Sequence, residues 1–159
     1  MKKILEILEK NNHLSPEQIA VMLGRDAEDV RAEMAKLERE GIVLGYKILV
    51  DWEKIENERI TAFIELRVTP QHGEGFDKIA QRIYQYEQVK TVWLMSGSFD
   101  IGLICEGKTM KDVALFVAEK LAPMPFVIST GTHFVLKTYK ESGVVFDKPT
   151  RDDRGVITL

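Results

Sequence analysis

The spacing of the hydrophobic residues changes between residues 50 and 60, and this change constrains the fold more than any other feature. In the first forty residues the apolar side chains recur every three to four positions, which is the period of a helix. From Ile60 they fall on every second position through Val68, which is the period of a strand. The chain is therefore predicted to have a helical part followed by a part built on a β-sheet.

Three short helices are predicted in the helical part, and residues that favour helix ends separate them. Ser15 precedes a proline and forms a predicted capping box with Gln18. Gly24 is predicted to end the second helix, Asp26 to cap the third and Gly41 to end it. Two helices joined by a tight turn are typical of a helix-turn-helix.

Residues 42–50 contain two β-rich runs around Gly45, and two interpretations of them stay open. They form the hairpin wing of a winged helix-turn-helix, or they form a strand that leads out of the domain. The predicted organisation is a winged helix-turn-helix DNA-binding domain at 1–50, a charged linker at 51–59, a second domain at 60–141 and a C-terminal extension at 142–159.

The second domain is predicted to be ferredoxin-like, because its elements follow the order β-α-β-β-α-β. Pro70 ends the first strand, and Pro123 and Pro125 break the last helix. The predicted elements are a strand at 60–68, a helix at 74–86, strands at 89–95 and 101–105, a helix around 110–121, and strand segments at 126–129 and 132–139. The fold class is α+β, with an N-terminal three-helix winged helix-turn-helix before this domain.

Both faces of the predicted sheet carry apolar side chains. If Ile64 and Leu66 face the helices, then Phe63 points the other way. On the neighbouring strands, either Trp93 or Leu94 must also point away from the helices, and so must either Leu103 or Ile104. A sheet that is apolar on both sides needs a second cover, and another copy of the chain is the simplest one. We therefore predict a homodimer; the alternative is that the linker or the tail folds over this face.

Composition excludes several classes of protein. Hydrophobic residues make up 45% and charged residues 30% of the chain, and no apolar run approaches the roughly 20 residues that span a bilayer. We expect a cytoplasmic protein without membrane contact. The single cysteine, Cys105, excludes an intrachain disulfide, and we expect neither a metal nor any other cofactor. The net charge of −3 argues against a surface that binds nucleic acid all over.

The order and spacing of several short motifs resemble the Lrp/AsnC family, the leucine-responsive and asparagine-operon regulators of bacteria and archaea. The resemblance covers about residues 2–141. The motifs that carry it are Ser15 with Ile19-Ala20 and Gly24, Val30, the run from Leu37-Glu38 to Gly45-Tyr46, Ile60–Ile64, Gly97-Ser98-Phe99-Asp100 and Thr130-Gly131-Thr132.

This resemblance implies a regulator that binds double-stranded DNA through the first domain and a small effector, an amino acid, through the second. It also implies dimers, which assemble further into octamers in this family. One departure concerns the third helix, where six acids stand against three bases between Asp26 and Glu40. The predicted DNA contacts are Arg25, Arg31, Lys36, Arg39 and Lys47; the alternative is that these cations only balance acids on a solvated helix.

The resemblance places effector binding near the turn Gly97-Ser98-Phe99-Asp100. Gly97 is predicted to permit a turn that a side chain would block, backbone donors to meet a carboxylate, and Asp100 to pair with an ammonium group. The alternative is an ordinary β-turn in which Asp100 bonds to backbone. The predicted effector site consists of Ser96, Gly97, Ser98, Phe99, Asp100, Thr130 and Thr132, and the hydroxyl of Ser129 is a further candidate to complete it.

Two other functions stay open from the sequence. Sirohaem decarboxylase subunits resemble this two-domain layout, and His133 is the residue that keeps such an enzyme under consideration, although His13, His72 and His133 lack metal-ligand spacing. No catalytic triad, phosphate loop or dinucleotide motif is present in the sequence. The other alternative is a ligand-sensing assembly module that binds DNA weakly or not at all, as the acidic third helix indicates.

Overall fold

The computed structural model describes residues 1–55, 59–69 and 75–146 of the chain. Contacts between Cα atoms divide the chain into two compact units, Met1–Val50 and Asp51–Leu159. Among the described residues, no helix is long and apolar enough to cross a membrane. We describe each unit by itself.

The first unit consists of three helices, α1 (Lys2–Lys10), α2 (Pro16–Leu23) and α3 (Ala27–Arg39). The predicted caps are confirmed. The Ser15 hydroxyl accepts from the Gln18 N–H, and the Gln18 side chain accepts from the Ser15 N–H at 2.9 Å, which is the predicted capping box. Gly24 ends α2 in the left-handed conformation, with φ of 61°, and the Asp26 carboxylate accepts from two N–H groups of α3. The core between the helices is formed by Ile4, Leu8, Ile19, Ala20, Val30 and Leu37.

Residues 42–50 contain no strand, so both the predicted hairpin wing and the alternative of a strand leading out of the domain are wrong. An isolated two-stranded hairpin is marginal in water unless it buries an apolar face. Here Leu44 is 92% and Ile48 78% exposed, so these side chains gain no burial that would offset the cost of ordering the backbone. The segment after α3 instead bonds to the helix end, where the Leu37 carbonyl accepts from the N–H groups of Ile42 and Val43.

The second unit holds a four-stranded antiparallel sheet with helices packed on it, and the predicted ferredoxin-like fold is confirmed. Its elements are β1 (Ile60–Val68), α4 (Phe76–Ile83), β2 (Val89–Leu94), β3 (Ile101–Gly107), α5 (Met110–Phe116), a π-helix (Val117–Leu121) and β4 (Val127–Phe134). The strand order is β2-β3-β1-β4. The two predicted strand segments at 126–129 and 132–139 are thus one strand, β4, followed by a segment without regular structure up to residue 139.

Strand β1 lies between β3 and β4 and carries the core of the second unit. Ala62, Ile64 and Leu66 are fully buried against helix residues such as Ile79 and Val113. The intervening residue Phe63 pairs with Ile104 on β3 and with His133 on β4, so these three side chains share the other face of the sheet. The predicted two-sided sheet is confirmed, because an apolar group occupies this face as well.

The two ends of the second unit differ in part from the sequence-based expectations. The segment predicted as a linker includes a short 3-10 helix, Trp52–Lys54, and the Arg59 guanidinium lies over the Trp52 ring at 5.0 Å. At the C-terminal end, β5 (Lys140–Glu141), the last residues of the predicted second domain, pairs with β6 (Val144–Val145) of the predicted extension in a small hairpin. The predicted helix start at 74, His72 and the extension beyond 146 lie outside the described residues.

Cys105 provides a test of the second core. Its side chain is fully buried on β3, and burial raises the pKa of the thiol to about 12. We therefore expect no reaction of the native protein with a thiol reagent at pH 8, and one equivalent of reaction after denaturation. Since the folded pKa exceeds the unfolded pKa, this thiol's contribution to stability is full below about pH 9 and falls as the pH rises toward 12. Rapid labelling of the native protein would contradict the buried position.

Candidate functional sites

Helix α3 presents one face to solvent in the first unit. Its buried stripe is centred on Val30 and Leu37, and the residues Glu28, Ala32, Ala35 and Arg39 are exposed on the opposite side. These four residues follow the spacing of a single helix face. The two alanines leave the middle of that face without long side chains, so a flat or grooved partner can approach the helix backbone closely.

Three of the five predicted DNA-contacting cations are paired with acids. Arg25 Nη1 lies 2.6 Å from Glu33 Oε2, and Lys36 Nζ lies 3.8 Å from Glu40 Oε1. Arg31 is held by two carboxylates, those of Glu28 on the same helix and Glu17 on α2. The Glu28 and Glu17 charges raise the pKa of Arg31, and the terminal ammonium of Met1 together with Arg25 lowers the pKa of Glu33. These cations therefore face solvent with their charge largely balanced.

Arg39 and Lys47 differ from those three cations. Both are exposed, and neither has an ion pair among the described residues. Arg39 lies on the outward face of α3, while the Lys47 backbone carbonyl accepts from the Asn12 side chain at 2.9 Å, which fixes the segment that carries the lysine. Of the five predicted cations, these two can contact a phosphate without first breaking an ion pair with an acid.

Two contacts in this unit were missed by the sequence reasoning. Glu17 reaches Arg31 from another helix, 14 residues away, and Tyr46 donates to Glu38 Oε1 at 2.9 Å. Burial, and then the Glu38 carboxylate, raise the pKa of Tyr46. The Glu28–Arg31 pair has the i, i+3 spacing that a sequence reveals, but the other two contacts depend on how the helices pack.

Replacing Glu28 with Gln tests whether its carboxylate withholds Arg31 from DNA. The variant keeps the shape of the side chain and removes the charge that pairs with Arg31, so we expect tighter DNA binding, by up to about fivefold at low salt. Fluorescence anisotropy with a labelled duplex at several salt concentrations measures it. The matched control is Glu9→Gln on α1, which makes the same charge change away from α3; an equal gain in the control would show that only net charge matters.

The predicted effector turn joins β2 to β3 and is attached to the end of β1. Asp100 N–H donates to the Leu66 carbonyl at 3.0 Å, and Asp100 Oδ2 accepts from the Val68 N–H at 2.8 Å. Phe99 is half-buried and meets Phe63 edge-on, with ring centroids 5.8 Å apart. Ser96, Gly97 and Ser98 are exposed at the tip of the turn.

The prediction that a side chain at position 97 would block the turn is wrong. Its φ lies outside the left-handed region, and an added Cβ would have no neighbour within 4 Å. The backbone conformation at this turn is therefore open to other residues, and glycine adds only bare backbone at an exposed tip. The carboxylate of Asp100 holds the turn against β1 by accepting from the Val68 N–H. This agrees with the alternative in which Asp100 bonds to backbone, except that the backbone group belongs to a distant strand.

The turn and the two threonines of the predicted site lie at the same end of the sheet but on different faces. Thr130 pairs with Leu66 and Thr132 with Ile64, and both partners point toward the helices. Paired residues share a face, so the two hydroxyls lie on the helix side, whereas Phe99 packs on the other side against Phe63. Ser129, which pairs with Arg67, is the β4 hydroxyl on the Phe99 side.

The sheet face that carries Phe63, which we call the outer face, combines apolar and charged groups. Trp93 pairs with Gly102 on this face and is 46% exposed, so the described residues leave it partly open to solvent. His133 Nε2 lies 3.3 Å from Glu65 Oε1, beside the Phe63 ring. In the part of the chain that the structure describes, no cluster of three or more histidine, cysteine or acidic residues can hold a metal.

Substituting Asp100 separates its two roles. Asp100→Asn keeps an oxygen that accepts from the Val68 N–H but removes the charge, so we expect near-normal stability and loss of the response to amino acids. Asp100→Ala also leaves the half-buried Val68 N–H without its acceptor, so we expect a further loss of about 1–2 kcal/mol in the free energy of unfolding. Urea unfolding and amino-acid titration by thermal shift measure both. A full amino-acid response in Asp100→Asn would remove the Asp100 charge from recognition.

Comparison with known proteins identifies relatives over nearly the whole chain. The Lrp/AsnC ligand binding domain family matches residues 61–145. The uncharacterized HTH-type transcriptional regulator YugG of Bacillus subtilis is 43% identical over 157 residues, which cover 98% of this chain and 95% of that protein. The proline dehydrogenase transcriptional activator of Rhizobium radiobacter is 23% identical, with 89% of this chain and 90% of that protein covered.

Solved structures share the fold. The crystal structure of the transcriptional regulator NMB0573 from Neisseria meningitidis, in complex with L-Met, superposes with a TM-score of 0.71 at 23% identity. The superposition covers 94% of each chain. At this identity the likeness establishes the arrangement of helices and strands.

Proposed function

Because this chain belongs to the Lrp/AsnC family of transcriptional regulators, we propose that it binds double-stranded DNA through α3 of its first unit and an amino acid at the Gly97–Asp100 turn of its second unit. The observation that carries the DNA-binding half is the α2–α3 pair. The pair is closed by a left-handed Gly24 and capped at both helix starts, and its second helix keeps an exposed face with two alanines. The relatives are regulators, so the chain is a regulator and not an enzyme such as the decarboxylase.

The five predicted cations fall into two groups with respect to DNA. Arg39 and Lys47 meet phosphates directly, since no acid holds them among the described residues. The other three cations, Arg25, Arg31 and Lys36, must exchange a carboxylate for a phosphate. Each of them therefore contributes less binding free energy than a cation that only water surrounds. The proposal thus predicts modest affinity for each first unit and a dependence on two units that bind together.

The effector proposal depends on the second oxygen of Asp100. One carboxylate oxygen accepts from Val68, while the other has no hydrogen-bond partner among the described residues and is available to an ammonium group. Exposed backbone N–H groups at Ser96–Ser98 are suited to a carboxylate, and an amino acid presents both groups. The Neisseria relative was crystallised with L-Met, which supports the same class of ligand here. Thr130 and Thr132 stay predictions, and Ser129 is an additional candidate from its face.

We assign the outer face to a second copy of the chain. Phe63, Trp93 and Ile104 supply the apolar centre, and the Glu65–His133 pair supplies a polar side of the same surface. A homodimer made there places two DNA-binding units in one particle, and further assembly to an octamer follows the family. The effector acts by favouring one arrangement of these units over another, to the extent that it binds that arrangement more tightly. We place this activity in the cytoplasm.

The test is binding of the full-length protein to a duplex from its own upstream region. Arg39→Ala should weaken binding about three- to tenfold and lower the salt slope by about one, because one phosphate contact is lost. Lys10→Ala, an exposed cation on α1, is the matched control and should change neither quantity. Sedimentation velocity on the same samples should give a dimer or larger particle for all three proteins.

Two outcomes would contradict the proposal. A folded dimer that retards no duplex at low salt would favour the assembly module that has lost DNA binding. A stable monomer at micromolar concentration would remove the outer face as the site of self-association. The effector is sought by repeating the measurement with each of the twenty amino acids.

A further inference from the structure

A cavity lies in the second unit, away from the Gly97–Asp100 turn. Its volume is about 830 Å³, within the range of small-molecule sites, and none of its lining residues belongs to the proposed effector turn. We call it the Trp52 pocket; its principal residues are Trp52, Arg59, Lys90, Glu106 and Lys108. It lies at the ends of β2 and β3 nearest the start of α5.

One wall of the Trp52 pocket is a fixed arrangement of three side chains. The Arg59 guanidinium pairs with the Glu106 carboxylate and at the same time lies over the Trp52 ring, 5.0 Å from its centre. Glu106 Oε2 is buried, and this ion pair is its one polar contact among the described residues. This pair places the Arg59 guanidinium between the carboxylate and the indole.

The pocket lining carries charges of both signs, the cations Arg59, Lys90 and Lys108 and the acids Glu87, Glu106 and Asp112. Glu106 balances Arg59, and the Asp112 carboxylate is engaged with the Thr109 N–H at the start of α5. Lys108 is exposed, and the Lys90 ammonium donates to the Glu87 carbonyl at 2.8 Å, which orients it and leaves two of its hydrogens free. Trp52 is 41% exposed and adds an apolar surface beside these ammonium groups.

We propose that the Trp52 pocket binds a small organic carboxylate, held at its charged end by Lys90 and Lys108 and at its apolar end by the Trp52 indole. Two sources share this chemistry, an amino acid and the 2-oxo acid that lacks its ammonium group. The Glu87 carboxylate on the rim is the partner of an ammonium group, so it favours the amino acid. This site is distinct from the effector turn of the proposed function, and variants at Lys108 and Asp100 distinguish binding at the two sites.

The pocket also has a consequence for regulation. Trp52 and Arg59 belong to the first residues of the second unit, which begins at Asp51, whereas Glu106 belongs to the sheet. A ligand that contacts the indole and Lys108 together stabilises the attachment of this first segment to the sheet. Binding here would therefore change the freedom of the chain directly after the DNA-binding unit.

The experiment uses the two tryptophans of the chain as reporters. In Trp93→Phe the remaining tryptophan is Trp52, and phenylalanine keeps an apolar ring on the outer face, so the fluorescence reports on the pocket. The full-length variant is titrated with L-leucine, with 4-methyl-2-oxopentanoate and with 3-methylbutylamine, which share an apolar group and differ in their charged groups. The proposal expects a saturable change with the two carboxylates, tighter for L-leucine, and none with the amine.

Variants in the Trp93→Phe background assign the signal. Lys108→Ala should weaken binding at least about tenfold, because a charge-assisted contact is lost, and Lys111→Ala, an exposed lysine outside the pocket, should not. Asp100→Asn should leave the Trp52 signal intact even where the response of the effector turn is lost. No saturable change up to about 10 mM, or a change that Asp100→Asn abolishes and Lys108→Ala does not, would overturn the proposal and leave the effector turn unaffected.

Discussion

The second unit depends on strand β1, which is paired on both edges and buried on its helix side. Ala62, Ile64 and Leu66 have no exposed surface, so the helices and both neighbouring strands are positioned by this one segment. The same strand supplies the carbonyl of Leu66 and the N–H of Val68 that hold Asp100. The candidate effector turn is thus a direct extension of the core, and a ligand that contacts Asp100 acts on the strand from which both faces of the sheet are built.

Local signals allowed much of the fold to be predicted from the sequence. The ends of α2 and α3 depend on Ser15, Gly24 and Asp26, whose side chains or backbone conformations act within three residues of their own position. The buried face of β1 follows from alternation alone. Segment 42–50 misled the prediction because side chains such as Leu44 and Ile48 are exposed, and β-rich composition favours a strand only where burial rewards it.

The candidate sites were harder to predict because their decisive contacts are distant in sequence. Glu17 reaches Arg31 across two helices, and Asp100 reaches Val68 across 32 residues. The faces of Thr130 and Thr132 depend on the register of β4 against β1, which no turn motif specifies. The pairing of Arg59 with Glu106 likewise joins a segment read as a linker to the end of β3.

The acid-paired cations of the first unit bear on how an effector controls such a protein. When Arg25, Arg31 and Lys36 are already satisfied by carboxylates, a single unit gains little from non-specific contact with phosphates. In the proposed dimer, occupancy of a DNA site then depends on two units binding one duplex together, where the second binds at the effective concentration set by the first. That concentration is sensitive to the separation and orientation of the units. A ligand that favours one arrangement in the second unit therefore produces a larger change in DNA occupancy than it would if each first unit bound tightly alone.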